Sequence, residues 1–151
     1  MKKLEVVDRP FSSFRVGEQA SFVKEITEEE IGRFAELSGD NNPLHADEAY
    51  ASRTRFGRRV AQGLLTAAPI SALAGHLLPG KRCLLLEVRT QFLQPVFAGD
   101  RLTYTGTVVQ TVEALKILKV QVEVTNQEGA VVLKGFYNGQ ILPDQNEEAN
   151  V

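Results

Sequence analysis

The sequence predicts an α+β protein in which an antiparallel β-sheet wraps around one long central α-helix. Two features predict it. Residues 60–78 carry no formally charged side chain when His76 is neutral, and small and aliphatic residues dominate them. A helix that is apolar nearly all round is a buried one. The residues that follow alternate apolar and polar over long segments, and half-apolar strands of that kind pair antiparallel with one face covered. A sheet curled around the helix covers the helix on several sides and each strand on its apolar face, so both demands are met at once. The 151 residues fit one domain spanning 1–151, with residues 1–18 and 144–151 expected to be peripheral.

The elements follow in order. Pro10 and Gly17 interrupt regular structure near the start, and Gln19 to Ile26 offers a first short strand. Thr27-Glu28-Glu29-Glu30 has the form of a capping box, with Thr27 at the cap, Glu30 three residues on, and an acidic first turn that suits the helix dipole. It predicts a helix over 28–38, with Ile31, Phe34, Ala35 and Ser38 at helical spacing toward the core and Gly39 as its stop. Asp47 is placed to cap a short helix leading into an arginine-rich loop. Within 60–78, Pro69 removes one helical hydrogen bond and predicts a bend or a late start; Leu78-Pro79-Gly80 ends the helix. In the first strand behind it, Leu84, Leu86, Val88, Thr90 and Phe92 form an apolar face, and Pro95 with Gly99-Asp100 makes the turn that follows. A second strand covers 101–112. The third, 115–125, sets Leu118, Val120, Val122 and Val124 on one side, and after a turn at Asn126-Gln127-Glu128-Gly129 the fourth runs over 130–141. The polar tail from Asp144 is expected to fray.

Composition excludes several classes. A hydrophobic content of 43% with 24% charge is that of a globular domain, neither disordered nor membrane-embedded, and Gln62, Thr66, Pro69, Ser71 and His76 argue against a span in 60–78. A net charge of −2 supplies no general field for nucleic acid. The basic start, Met1-Lys2-Lys3, has no apolar run behind it, so no secretory signal is expected and the cytoplasm is the expected location. The single cysteine, Cys83, allows no internal disulfide and is expected as a buried strand residue. Two histidines and one cysteine lack metal-ligand spacing, and His76, in the last turn of the central helix, reads as structural. Arg53, Arg55, Arg58 and Arg59 form a basic patch with two equal readings, a solvated loop or an attractor for the phosphates of an acidic carrier or cofactor.

The chemistry concentrates in Ser38-Gly39-Asp40-Asn41-Asn42-Pro43-Leu44-His45. Gly39 can take the left-handed conformation that closes a helix, and Pro43 disfavours helical geometry at Asn42. Asp40 and His45 therefore sit on irregular backbone, where a separation of five can fold back so that both side chains meet one small molecule. Water is the natural candidate. Turn chemistry alone accounts for Gly, Asp, Asn and Pro here. The longer segment from Phe34 to His45, however, resembles the active-site motif G-D-x-N-P-x-H of the MaoC-like, R-specific enoyl-CoA hydratases. Two further places carry the resemblance. Val60-Ala61-Gln62-Gly63-Leu64-Leu65 is similar to the start of that family's central helix, with Gln62 where histidine is frequent, and Phe92-Leu93-Gln94-Pro95-Val96-Phe97-Ala98-Gly99-Asp100 is similar to its strand-and-turn segment. Pro69 departs from the family's pattern.

The resemblance implies the hotdog fold and the hydration of trans-2-enoyl thioesters to (R)-3-hydroxyacyl thioesters, with syn addition through one water. It implies Asp40 as general base, His45 as the group that holds and polarises the water, the Gly63 N–H as the donor to the thioester oxygen, Asn42 as the residue that fixes the loop, and Ser71 as a pocket residue. Coenzyme A would be part of the substrate, an acyl carrier protein being the other carrier, and no separate cofactor or metal is needed. A sheet of this kind leaves edge strands open, so a homodimer is expected, with no nucleic acid or membrane partner. A hotdog thioesterase and a non-catalytic acyl-thioester binding protein are the alternatives.

Overall fold

The computed structural model describes residues 4–144. Five antiparallel strands form one sheet in the order β1-β3-β4-β5-β2: β1 (Gln19–Glu25), β2 (Cys83–Phe92), β3 (Arg101–Val112), β4 (Ile117–Thr125) and β5 (Val131–Ile141). Between β1 and β2 lie α1 (Glu28–Ser38), α2 (Pro43–Ala46) and α3 (Glu48–Ala51), and the sheet curls around a central helix made of α4 (Gly63–Ala67), α5 (Ile70–Ala72) and a π turn over Leu73–Leu77. The sheet around a helix expected from the sequence is what forms. Among the described residues no helix is long and apolar enough to cross a membrane.

The concave face of the sheet supplies the core. Leu102, Tyr104 and Val108 of β3, Leu118, Val120, Val122 and Val124 of β4, and Leu133 and Tyr137 of β5 bury against Ile70 and Leu73 of the helix. Gly106 lets them approach, since a Cβ there would stand 3.0 Å from both Leu73 and Val120 side-chain carbons. Two buried tyrosines hold the helix at either end: the Tyr104 hydroxyl donates to Thr66 O at 2.7 Å, in the turn interrupted at Pro69, and the Tyr137 hydroxyl donates to Leu78 O. Burial pushes both phenols above their ordinary range. Pro69 thus breaks the helix into pieces within 63–77, and residues 60–62 lie outside it, Gln62 with extended backbone.

Five local expectations change in the folded chain. A β-bulge between Leu85 and Glu87 shifts the phase of β2. Cross-strand partners share a face, so Leu85, Val88 and Phe92, opposite Gly139, Tyr137 and Leu133, look into the concave side, whereas Leu84, opposite Gln140, shares the convex side with Glu87 and Arg89. The central helix is not buried all round either: Leu64, Ala68 and Ser71 form an exposed stripe. Ser38 turns outward instead of into the core, its hydroxyl donating to Phe34 O at 2.6 Å. Cys83 opens β2 as expected but is only partly buried, and burial pushes its thiol up to about 11. Before β1, residues 4–18, expected to be peripheral, bury Phe11 and Phe14 in the core. The expected fraying of the tail from Asp144 falls on residues 145–151, outside those described.

The capping box forms in full at α1. Glu30 N–H donates to the Thr27 hydroxyl and Thr27 N–H to the Glu30 carboxylate, which also holds Lys24. Burial alone would raise the Glu30 carboxyl, but the Lys24 ammonium and the Thr27 donors outweigh it and hold the group below its ordinary 4.5. A depressed carboxyl stabilises the fold above the unfolded-state value and loses that contribution as pH falls through the folded-state value. Thr27→Ala is expected to cost about 1 kcal/mol at neutral pH in urea unfolding. The stability difference between Glu30→Gln and the parent is expected to shrink as pH falls below the ordinary 4.5 and to be lost once the folded-state carboxyl is protonated.

Candidate active site

The loop after α1 is built by short-range bonds that fix where Asp40 and His45 point. Gly39 closes the helix with φ 76°, its N–H bonded to Ala35 O. The Ser38 hydroxyl accepts from Asp40 N–H at 3.2 Å, and the Asp40 carboxylate accepts from Asn42 N–H through Oδ1 at 3.3 Å. Asn42 caps α2 by accepting from Leu44 N–H at 2.9 Å, with Pro43 pre-set for the first helical position. That one turn of helix carries His45.

The imidazole is anchored from the other side. His45 Nδ1 lies 2.6 Å from Val60 O. A carbonyl oxygen can only accept, so Nδ1 carries a proton, and the tautomer this selects has its bare nitrogen at Nε2. Nε2 stands 3.8 Å from Asp40 Oδ2. That separation is too long for a direct hydrogen bond and is the span of two acceptors bonded to one water at about 2.8 Å from each. With Oδ1 held by Asn42, the free carboxylate oxygen and the free ring nitrogen converge on one point. The Asp40 side chain is 45% exposed and that of His45 15%.

Val60 also fixes the second wall. Its N–H donates to Leu44 O, and the next residue, Ala61, donates to Val96 O at 2.8 Å, which ties the histidine turn, the lead into the central helix and the segment after β2 together. Between them opens a cleft of about 340 Å³ lined by His45, Arg55, Phe56, Val60, Ala61, Gly63 and Thr66 on one side and Phe92 to Val96 on the other. No side chain caps α4, and the first bond within it runs from Thr66 N–H to Gln62 O at 3.1 Å. The Gly63 N–H therefore has no helical acceptor and stands at the positive end of the central helix. A Cβ on Gly63 would meet the Phe92 ring at 3.1 Å, so a side chain there would push on the aromatic wall beside this donor.

Of the residues expected from the sequence, Asp40, His45, Asn42 and Gly63 are brought to one place. Ser71 is not: it lies exposed on the outer stripe of the helix and does not line the cleft. Gln62 does not line it either. Its side chain is 2% exposed and donates to Ile31 O at 3.1 Å, pinning the start of α4 to α1, the helix that delivers Asp40. Thr66, Phe92 and Phe56 are cleft residues that the sequence reading did not single out; Thr66, three residues after Gly63, shares its helical face, and that spacing is the signal that could have found it. His76 sits in the π turn away from the cleft, its carbonyl accepting from Val7 N–H at 2.7 Å. Among the described residues no group of three or more His, Cys, Asp and Glu side chains could hold a metal ion.

A sheet wrapped around a helix, with an acid–histidine pair at the helix's open end, is the arrangement of a hotdog-fold protein. Comparison with known proteins makes this narrower. Residues 13–131 match the model of the MaoC like domain, and the chain belongs to that family. It is 39% identical over 125 residues to the (R)-specific enoyl-CoA hydratase of Rhodospirillum rubrum, covering 83% of this chain and 86% of that protein. It is 37% identical over 123 residues to the enzyme of the same name from Aeromonas caviae, covering 82% and 92% respectively. The unliganded R-hydratase structure from Pseudomonas aeruginosa superposes with a TM-score of 0.84 at 33% identity, covering 89% of this chain and 86% of that one.

Proposed function

We propose that this chain is an (R)-specific enoyl-CoA hydratase, a hydro-lyase that reversibly adds water to trans-2-enoyl thioesters. The observation that carries the proposal is the 3.8 Å gap between Asp40 Oδ2 and His45 Nε2 at the edge of a cleft whose wall offers the Gly63 N–H. Addition to the conjugated double bond needs a nucleophilic oxygen at C3, a proton at C2, and stabilisation of the charge that develops on the thioester oxygen. Asp40 takes the proton from water, His45 Nε2 fixes the same water, and Gly63 N–H receives the enolate-like oxygen. Asn42 holds the carboxylate. The proton that Asp40 takes from the water is the one delivered to C2, so hydroxyl and proton both come from one water and Asp40 ends ionised as it began; the reaction then needs no separate cofactor, coenzyme A being part of the substrate. Such a substrate suits the cytoplasm.

Mixed with crotonyl-CoA, the protein is expected to consume the conjugated enoyl absorbance without releasing free thiol and to yield the R-3-hydroxybutyryl thioester. Thiol release would move the protein to the thioesterases. Binding without either change, on this and longer enoyl thioesters, would leave it a non-catalytic thioester binder.

Pairing of two copies along β2 belongs to the same reading. The two edges of the sheet differ: β1 is seven residues long and carries Gln19, Lys24 and Glu25, whereas β2 is ten residues long and exposes Leu84, Leu85, Leu86, Val88 and Phe92. A long apolar edge pairs with another strand. The concave side of β2 and the helix stripe of Leu64, which is 65% exposed, lie open and would be covered by the second copy, closing the half-exposed Asp40 from solvent. Leu86→Lys with Val88→Lys is expected to shift the mass in sedimentation from about twice 16.6 kDa to 16.6 kDa and to remove activity with it.

A further inference from the structure

The arginine-rich loop divides by role. Arg59 is committed to the fold: its guanidinium pairs with Glu28 and, at 3.1 Å, with Glu48, joining α1 to α3. Arg53, Arg55 and Arg58 have no carboxylate partner among the described residues and all three are exposed. Two of the three are nevertheless held in place. The Arg55 guanidinium carbon stands 4.8 Å from the Phe56 ring centre, and that of Arg58 4.0 Å from the Phe97 ring centre. Both positions border the cleft: Arg55 and Phe56 line it, and Phe97 follows Val96, which lines it from the opposite side.

Stacking on a ring engages the flat face of a guanidinium and leaves its N–H fork free at the edge, the geometry that grips a phosphate. We infer that Arg55 and Arg58 form the anion grip for the phosphate-bearing carrier of the thioester, a role that rests on the hydratase reading of the cleft. The reacting acyl group and thioester carry no charge that these arginines could serve. A phosphopantetheine arm does, whether it ends in the nucleotide of coenzyme A or on a carrier protein. Arg53 does not line this cleft and has no aromatic ring beneath it among the described residues, which makes it the control within the same loop.

The test is hydration of the crotonyl thioesters of coenzyme A, 4′-phosphopantetheine and pantetheine by the parent protein and by Arg55→Ala, Arg58→Ala and Arg53→Ala. The first two variants are expected to raise KM for crotonyl-CoA about tenfold while kcat stays within about twofold, and to leave the uncharged pantetheine thioester unaffected. Arg53→Ala is expected to stay within about twofold on all three. A loss shared by the phosphopantetheine thioester assigns the grip to the phosphate common to coenzyme A and carrier proteins; a loss confined to crotonyl-CoA assigns it to the nucleotide phosphates. Equal losses on the pantetheine thioester, an equal effect of Arg53→Ala, or no effect at all would overturn the grip. If the parent hydrates none of the three, the hydratase reading fails, and calorimetric titration with coenzyme A then judges the grip separately. Binding weakened by Arg55→Ala but not by Arg53→Ala would keep it, and absence of binding would end it.

Discussion

Asp40→Asn is expected to lower kcat for enoyl thioester hydration by about 10³-fold with little change in KM. The amide keeps the size of the carboxylate and can still accept from Asn42 N–H, so the loop is retained while the base is lost. His45→Gln is expected to cause a similar loss by removing the fixed acceptor for water at Nε2. The double variant should be little worse than either single one, because two groups that act on one water fail together. Asp40 lies exposed on a surface loop, so its replacement should leave the unfolding midpoint close to that of the parent. A combined measurement of kcat, KM and urea midpoint for the three variants separates loss of chemistry from loss of fold. Activity persisting within about tenfold in Asp40→Asn would remove the carboxylate from the mechanism.

Gly135→Ala is expected to be the most damaging single methyl group in the sheet, destabilising by about 3 kcal/mol or more. Its Cβ would fall 1.9 Å from the carbonyl oxygen of Arg89 on the neighbouring β2, and backbone cannot rotate away as a side chain can. β2 would have to move off β5. Because the Phe92 to Val96 wall of the cleft leaves the end of β2, activity should fall along with stability. Gly32→Ala supplies the contrast: nothing lies within 4 Å of a Cβ there, and the residue sits inside α1. It is expected to stabilise by about 0.5 to 1 kcal/mol. Urea unfolding of both variants, with crotonyl-CoA hydration measured alongside, checks the pair.

What the sequence made legible was whatever short-range chemistry decides. Thr27, Glu30 and Gly39 set both ends of α1 to the residue, and the alternation of Leu118, Val120, Val122 and Val124 placed the buried side of β4 correctly. The Asp40–His45 meeting was also readable, since Gly39, Asn42 and Pro43 shape the loop locally. The phase of β2 was not. Its bulge between Leu85 and Glu87 is set by pairing with Gly139 and Asn138, far along the chain, and strict alternation cannot register an extra residue. Likewise, a helix free of charge looks buried on every side, although Leu64 and Ser71 face outward, uncovered by the described residues. Thr66, Phe56 and Phe92 became site residues only through tertiary folding, because the cleft lies between segments that local pattern treats separately.

The most direct measurement is hydration of crotonyl-CoA in D₂O, followed by NMR assignment of the deuterium at C2 of the 3-hydroxybutyryl product. One water held between Asp40 Oδ2 and His45 Nε2 approaches the double bond from a single side, so a single diastereomer is expected, with deuterium and hydroxyl added to the same face and R configuration at C3. Deuterium on the opposite face, or on both faces equally in the initial product, would contradict a single water shared by this pair.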